Sequence, residues 1–273
     1  MSKIAYDPVK DRFADVIKNS RFLRTVFYKL LDLFFLRGWY VRSVIRRYAA
    51  ALDKKGPWKM LDAGSGFGQY DRFLLSEFEK INIDAVDVKE DYLQECRQYF
   101  EDEERITYAQ ADLLELEGEP EYDFSICIDV LEHIEDDVRV MTNLRKVLKK
   151  GGYFLMHSPS HLAEEDAGDD EFFVDEHARA GYSKAELQQK LEKAGLRVVE
   201  MEYSYGVMGH AAWVLLIKNP MLWFTKWGLA ASPLVALYYV LALLPGLLLM
   251  RLDMIGSNEK GTGIYALAVK PIQ

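Results

Sequence analysis

Cysteine is scarce in this chain, with two in 273 residues, and positive charge is in deficit over the whole. Cys96 and Cys127 have neither metal-ligand spacing nor an evident partner. That excludes a disulfide framework and a cysteine-based zinc site, and it points to a reducing setting. The net charge of −9 excludes generic nucleic-acid binding through a basic surface. The opening residues lack the basic-then-apolar layout of a secretory signal, so an intracellular, cytoplasmic protein is expected. One further absence is local. Counting from Gly64, the third glycine of a dinucleotide-binding G-x-G-x-x-G falls at position 69, where Gln69 stands.

What is present centres on Trp58 to Gln69. Met60 and Leu61 close a short apolar run, Asp62 stops it, and Gly64, Gly66 and Gly68 precede the apolar pattern of Phe73, Leu74, Leu75 and Phe78. This reads as strand, tight turn and helix start. Glycines there permit positive φ and close approach of the backbone to a ligand at a helix N-terminus. Asp62 would repel a pyrophosphate, yet it suits a cofactor carrying an ammonium and a sulfonium, as S-adenosylmethionine does.

Leu61 to Gly68 resembles the first motif of the class I S-adenosylmethionine-dependent methyltransferases, an apolar strand followed by acid-x-Gly-x-Gly-x-Gly. Further segments are similar to that family's later motifs, in order. Ile83 to Asp87 ends in an acid close to the ~20-residue spacing of a nucleotide-binding α/β unit. Ala109 to Leu113, Asp123 to His133, and Leu148 to Met156 resemble the third, fourth and fifth strand motifs. The resemblance implies a cofactor site for S-adenosyl-L-methionine, with S-adenosyl-L-homocysteine as its product. In it Asp62, Ala63, Gly64, Ser65 and Gly66 take the methionine end and Asp87 with Val88 the ribose. Asp112 and Leu113 take the adenine, and Asp129 with Val130 closes the pocket.

Alternation of strands near 58–62, 82–87, 105–110, 123–128, 152–157, 196–204 and 262–270 with helices near 70–80, 90–100, 135–149 and 183–194 implies an α/β fold. It is a Rossmann-like, mainly parallel seven-stranded sheet with helices on both faces. Its ligand crevice lies beyond the C-terminal strand ends. We divide the chain into an N-terminal helical cap (1–55), a methyltransferase domain (56–206 and 257–273) and an apolar helical insertion (207–256). The cap reads as two or three helices with ten bases against Asp32 and Asp53 between Lys18 and Lys55. Those bases fit either a cap over the cofactor or a basic surface on anionic lipid.

The insertion holds the longest uncharged run, Trp227 to Met250, long enough at ~1.5 Å per residue to cross a ~30 Å hydrocarbon core. A single crossing would separate the last strand from its sheet. With Pro233 and Pro245-Gly246 expected to kink or split the run, a monotopic hairpin in one leaflet follows, edged by Trp213, Trp223, Trp227, Tyr238 and Tyr239. A buried helical subdomain or an oligomer contact is the competing reading.

If the acceptor is a hydroxyl, a histidine near neutral pKa is the usual base. The candidates are His157, His161 and His177, with His133 after the fourth strand. The segment from Ser158 to Ala180 is otherwise acidic and loop-like. The motif set also looks like the methyltransferases of ubiquinone and menaquinone biosynthesis. The reading is therefore a methyltransferase of a lipophilic or membrane-located acceptor (quinone-like, isoprenoid or other lipid) at the inner face of the membrane, with no metal and no nucleic-acid partner. Two alternatives stand beside it: a soluble small-molecule O- or N-methyltransferase whose insertion is a lid or dimer contact, and a non-catalytic membrane-attached binding protein.

Overall fold

The computed structural model describes residues 20–163 and 178–272. Two helices, α1 (Arg21–Phe34) and α2 (Leu36–Lys55), precede the first strand. The sheet then alternates with helices: β1 (Trp58–Ala63), α3 (Gln69–Glu77), β2 (Ile81–Asp87), α4 (Glu90–Tyr99), β3 (Ile106–Gln110), β4 (Tyr122–Ile128), α5 (Asp137–Val147), β5 (Leu148–Pro159), α6 (Lys184–Lys193) and β6 (Arg197–Ser204). An insertion follows with α7 (Val207–Trp213), a π-helical turn (Val214–Lys218), α8 (Asn219–Trp227) and α9 (Ser232–Ile255), and β7 (Gly263–Val269) closes the sheet.

Strand order is β3-β2-β1-β4-β5-β7-β6, parallel except for β7, which runs antiparallel between β5 and β6. This is the Rossmann-like, mainly parallel seven-stranded sheet expected from the sequence. Order reverses between β1 and β4, so the crevice opens beside the ends of those two strands. Alternation along each strand feeds two apolar layers. Met60, Ile83, Phe124 and Leu155 face the layer shared with α2 and the insertion. Leu61, Val86, Cys127 and Met156 face the layer shared with α5 and α6.

Two boundaries differ from the sequence reading. The helix expected to reach residue 149 stops at Val147, because Leu148 joins the sheet opposite Tyr122 across a register shift. The prolines of the insertion do not split it. Pro233 lies in the first turn of α9, where its missing N–H costs nothing, and Pro245 sits inside a continuous helix. An isolated helix would lose about 3 kcal/mol at Pro245. Tertiary contacts hold this one: Tyr238 and Tyr239 donate to the carbonyls of Leu215 and Leu216, and Gly246 packs directly on Leu216. The actual break comes at Gly228, with φ +57°.

The insertion leaves and returns at one rung of the sheet, since Ser204 is the register partner of Gly263. It is therefore a closed hairpin, consistent with an even number of membrane crossings or none. Its base is fixed by buried Asp253, which accepts from Gly209 N (2.9 Å), Tyr40 Oη (2.9 Å) and Asn258 Nδ2 (3.3 Å). Asp253→Ala leaves those buried donors without their carboxylate, at an expected cost of about 2–4 kcal/mol. A urea denaturation midpoint unchanged from wild type would refute this clamp.

Candidate functional site

Where β1 ends, the chain turns through Gly64 (φ +83°), Gly66 (+51°) and Gly68 (+71°) before entering α3. At Gly64 a Cβ would lie 2.3 Å from Val130 Cγ2, so glycine is required there by space as well as by φ. Gly66 has open space where a side chain would stand. The turn is tied to β2, with Gly64 N and Ser65 N both donating to Val86 O at 2.7 and 3.0 Å.

Asp87 closes this geometry. Its Oδ2 accepts from Gly66 N at 2.9 Å and its Oδ1 from Lys89 N at 2.8 Å, so the carboxylate is oriented by two backbone donors. An ionised carboxylate offers about four acceptor positions, so each oxygen keeps capacity for a further donor such as a ribose hydroxyl. Val88, next in sequence, is half exposed, and its carbonyl accepts from Gln110 Nε2. Asp112 caps a 3-10 turn by accepting from Leu114 N at 2.9 Å, with Leu113 buried beside it. Ala63 is fully buried at the strand end.

Beneath the turn lies an acid that the sequence reading passed over. Asp71, on the first turn of α3, is fully buried beside Asp62, and its Oδ2 accepts from Tyr108 Oη at 3.1 Å. Burial raises the pKa of both carboxyls, Asp71 to about 6, and at Asp62 the neighbouring Asp71 raises it further. Asp62 Oδ2, Ser65 Oγ and Gln69 Nε2 are buried without a hydrogen-bond partner. Three orphaned polar atoms around an open glycine cradle fit a polar cofactor such as S-adenosylmethionine.

On the other side of the crevice Asp129 takes φ +54°, unusual for a non-glycine residue, and so does Tyr205 at +55°. Asp129 Oδ2 pairs with Arg37 from α2, while its Oδ1 lies 2.8 Å from His157 Nδ1. His157 Nε2 is 2.9 Å from Ser204 Oγ. With Asp129 ionised beside Arg37, His157 donates from Nδ1 and Ser204 donates to Nε2. Burial, then the Arg37 charge, holds the His157 pKa well below the usual histidine value. The imidazole is therefore neutral with both nitrogens occupied.

The other histidines lie elsewhere. His161 is exposed and lies against Tyr182 O at 3.4 Å and the Tyr203 ring at 6.3 Å rather than the Asp129 chain. His133 is exposed on the turn after β4, and His177, like most of the acidic segment, lies outside the described residues.

The basic N-terminal helices turn several cations inward. Arg24 is buried and donates to Glu95 O (2.6 Å) and Phe67 O (3.3 Å), while Tyr28 Oη also donates to Phe67 O, so α1 grips the glycine turn. Arg37, Asp71 and Ser204 escaped the sequence reading because their partners are distant in the chain. The only trace was a basic residue opening α2 and an acid one turn into α3.

Comparison with known proteins agrees with this geometry. Residues 60–152 match the family model described as a methyltransferase domain, which covers the glycine turn, Asp87, Asp112 and Asp129. A ubiquinone biosynthesis O-methyltransferase of Rickettsia bellii is 30% identical over 95 residues, covering 34% of this chain and 39% of that protein. The chain thus matches well under half the length of that curated relative. Phosphoethanolamine N-methyltransferase 2 of Haemonchus contortus, solved with S-adenosyl-L-methionine, superposes with a TM-score of 0.57 at 20% identity over 99% of this chain and 61% of its own. The [4+2]-cyclase SpnF superposes at 0.54 with 16% identity over 83% of each chain, so the fold alone does not fix the reaction.

Glu132, on the turn after Asp129, supplies a pH test. It is buried, its Oε2 accepts from Ser158 Oγ at 2.9 Å, and burial pushes its carboxyl up to about 7. The folded pKa lies above the unfolded one, so the proton's contribution to stability is complete below about pH 4.5 and is lost as pH rises through about 7. Between pH 5 and pH 8 wild type should lose on the order of 3 kcal/mol relative to Glu132→Gln in paired urea titrations. Parallel pH curves for the two proteins would contradict it.

Proposed function

We propose that this chain is an S-adenosylmethionine-dependent methyltransferase acting on a lipophilic, membrane-located acceptor. The observation that carries the cofactor assignment is Asp87, with both oxygens aimed by backbone N–H groups beside the open Gly66, inside a segment matched as a methyltransferase domain. When bound, the cofactor supplies an electrophilic methyl group. The residues would divide the work of holding it. Asp62, Ala63, Gly64, Ser65 and Gly66 take the methionine end, and Asp87 and Val88 the ribose. Asp112 and Leu113 take the adenine, and Asp129 with Val130 forms the wall beside the methyl. In-line transfer draws much of its rate from alignment, so a rigid crevice is what the chemistry needs.

His157 serves here as a positioning residue. Pinned between Ser204 and Asp129 and held neutral, it fixes the carboxylate that Arg37 neutralises. A base for a hydroxyl acceptor falls to His161, just past the end of β5, or, by its place in the sequence alone, to His177.

Support for a lipophilic acceptor comes from the insertion. Leu237, Leu241, Leu244, Leu248, Leu252 and Ile255 recur at three- and four-residue steps on one face of α9, and Leu241 and Leu244 are each 75% exposed. A buried subdomain would not leave them so. An apolar stripe of this length marks a membrane or partner surface. The hairpin's return to its starting rung favours a monotopic seat in one leaflet. The Rickettsia relative, a ubiquinone biosynthesis O-methyltransferase, points to the same kind of acceptor.

Calorimetry tests the cofactor site. Wild type should bind S-adenosylmethionine and S-adenosylhomocysteine, and Asp87→Ala should weaken both by about 10–100-fold, the worth of charge-assisted hydrogen bonds. Absence of binding by folded wild type would end the enzymatic reading. For the acceptor, a lipid extract incubated with labelled cofactor should yield a product heavier by one methyl, whereas label appearing only in water-soluble products would overturn the lipophilic assignment.

A further inference from the structure

A cleft of about 300 Å³ lies where the end of α9 meets α2, lined by Trp39, Ser43, Arg42, Arg46, Arg47 and Arg251 among others. Three of those guanidinium groups already have carboxylates: Arg42 pairs with Asp32, Arg46 with Glu77 and Arg47 with Glu200. Arg251 has no ion pair among the described residues, so one positive charge is left over. Arg46 and Arg47 remain about half exposed, and Arg46 engages Glu77 through Nε and Nη2 only, leaving Nη1 for another acceptor. Ser43 makes no side-chain hydrogen bond among the described residues.

The position of Arg251 on its helix gives this cleft a meaning. Three residues after Leu248 and four before Ile255, it falls on the same exposed face of α9 as the apolar stripe. It is the cation at which the uncharged run stops. A helix laid into a bilayer along that stripe brings Arg251 to the level of the headgroups, its stem among the leucines and its guanidinium turned toward phosphate. Arginine's planar fork matches phosphate oxygens in two-point contact, and Ser43 adds a neutral donor.

We propose that this cleft receives the phosphate of an anionic phospholipid headgroup, fixing how the protein sits on the membrane. The site rests on the membrane reading given above. Continuity with the stripe, together with the uncompensated Arg251, identifies the occupant as a lipid of the bilayer. A bound headgroup would draw on two structural parts at once, α2 and α9, and so would hold the insertion and the helices over the crevice in one orientation.

Flotation of the full chain with two vesicle types tests it: phosphatidylcholine alone, and phosphatidylcholine with one-third phosphatidylglycerol. Wild type should favour the anionic vesicles by about fivefold, the worth of one cation at such a surface. Arg251→Gln should remove most of that preference while keeping its recovery on neutral vesicles and its affinity for S-adenosylmethionine. Lys226→Gln, which removes a cation at the other end of the uncharged run, should keep it. The headgroup site is overturned if Arg251→Gln retains the wild-type ratio, if wild type shows no preference, or if Lys226→Gln loses as much as Arg251→Gln. Failure of the underlying membrane reading looks different: wild type would float with neither vesicle. Leu244→Asp/Leu248→Asp should lose both vesicle types, and if it floats like wild type the stripe is not the contact.

Discussion

The left-handed turn between β1 and α3 is the constraint on which the site depends. Only residues without a Cβ can pass through positive φ there at no cost while lying against Val130, and only that path brings Gly66 N to Asp87. Parallel strands β1 and β2 set the distance, and the turn sets the direction. Once the acid at the end of β2 is aimed by the backbone, its orientation does not depend on a flexible side-chain partner. The crevice is thereby organised before any ligand enters it, which is the economical arrangement for a reaction governed by alignment.

Charge is handled in two ways around this turn. On the exposed side Asp129 and Arg37 neutralise one another, and the ion pair ties the N-terminal helices to the end of β4. Underneath, Asp62 and Asp71 are taken out of water side by side, and burial raises the pKa of both. Glu132 behaves likewise against Ser158. A chain with a strongly negative net charge thus keeps part of its acid content neutral where it would otherwise destabilise the fold.

Much of this was legible in the sequence because it is local. Apolar runs ended by Asp62, Asp87 and the Asp129 turn marked strand ends, and three glycines marked the turn, so strand positions came within a few residues of those observed. Long-range partners were not legible. Nothing near Arg37 indicates Asp129, and nothing near His157 indicates that Ser204 and Asp129 would occupy both its nitrogens. His157, one of the base candidates in the sequence, is buried in the structure between those two partners. Pro245 misled for a related reason: helix-breaking tendency is a property of the isolated segment, while Leu215 and Leu216, in contact with Tyr238, Tyr239 and Gly246 of the helix, hold it from outside.

The pairing of Ser204 with Gly263 separates two things that most folds couple. The outward-facing parts of everything between those residues can change in length and composition without shifting a rung of the ladder, provided that its ends still meet, the Asp253 anchor is kept and Ala212, Leu216 and Met250 still fill the layer beneath the sheet. The exposed face of that segment can therefore be exchanged while the crevice at the strand ends stays unaltered. Outer surface and ladder are thereby uncoupled within one polypeptide.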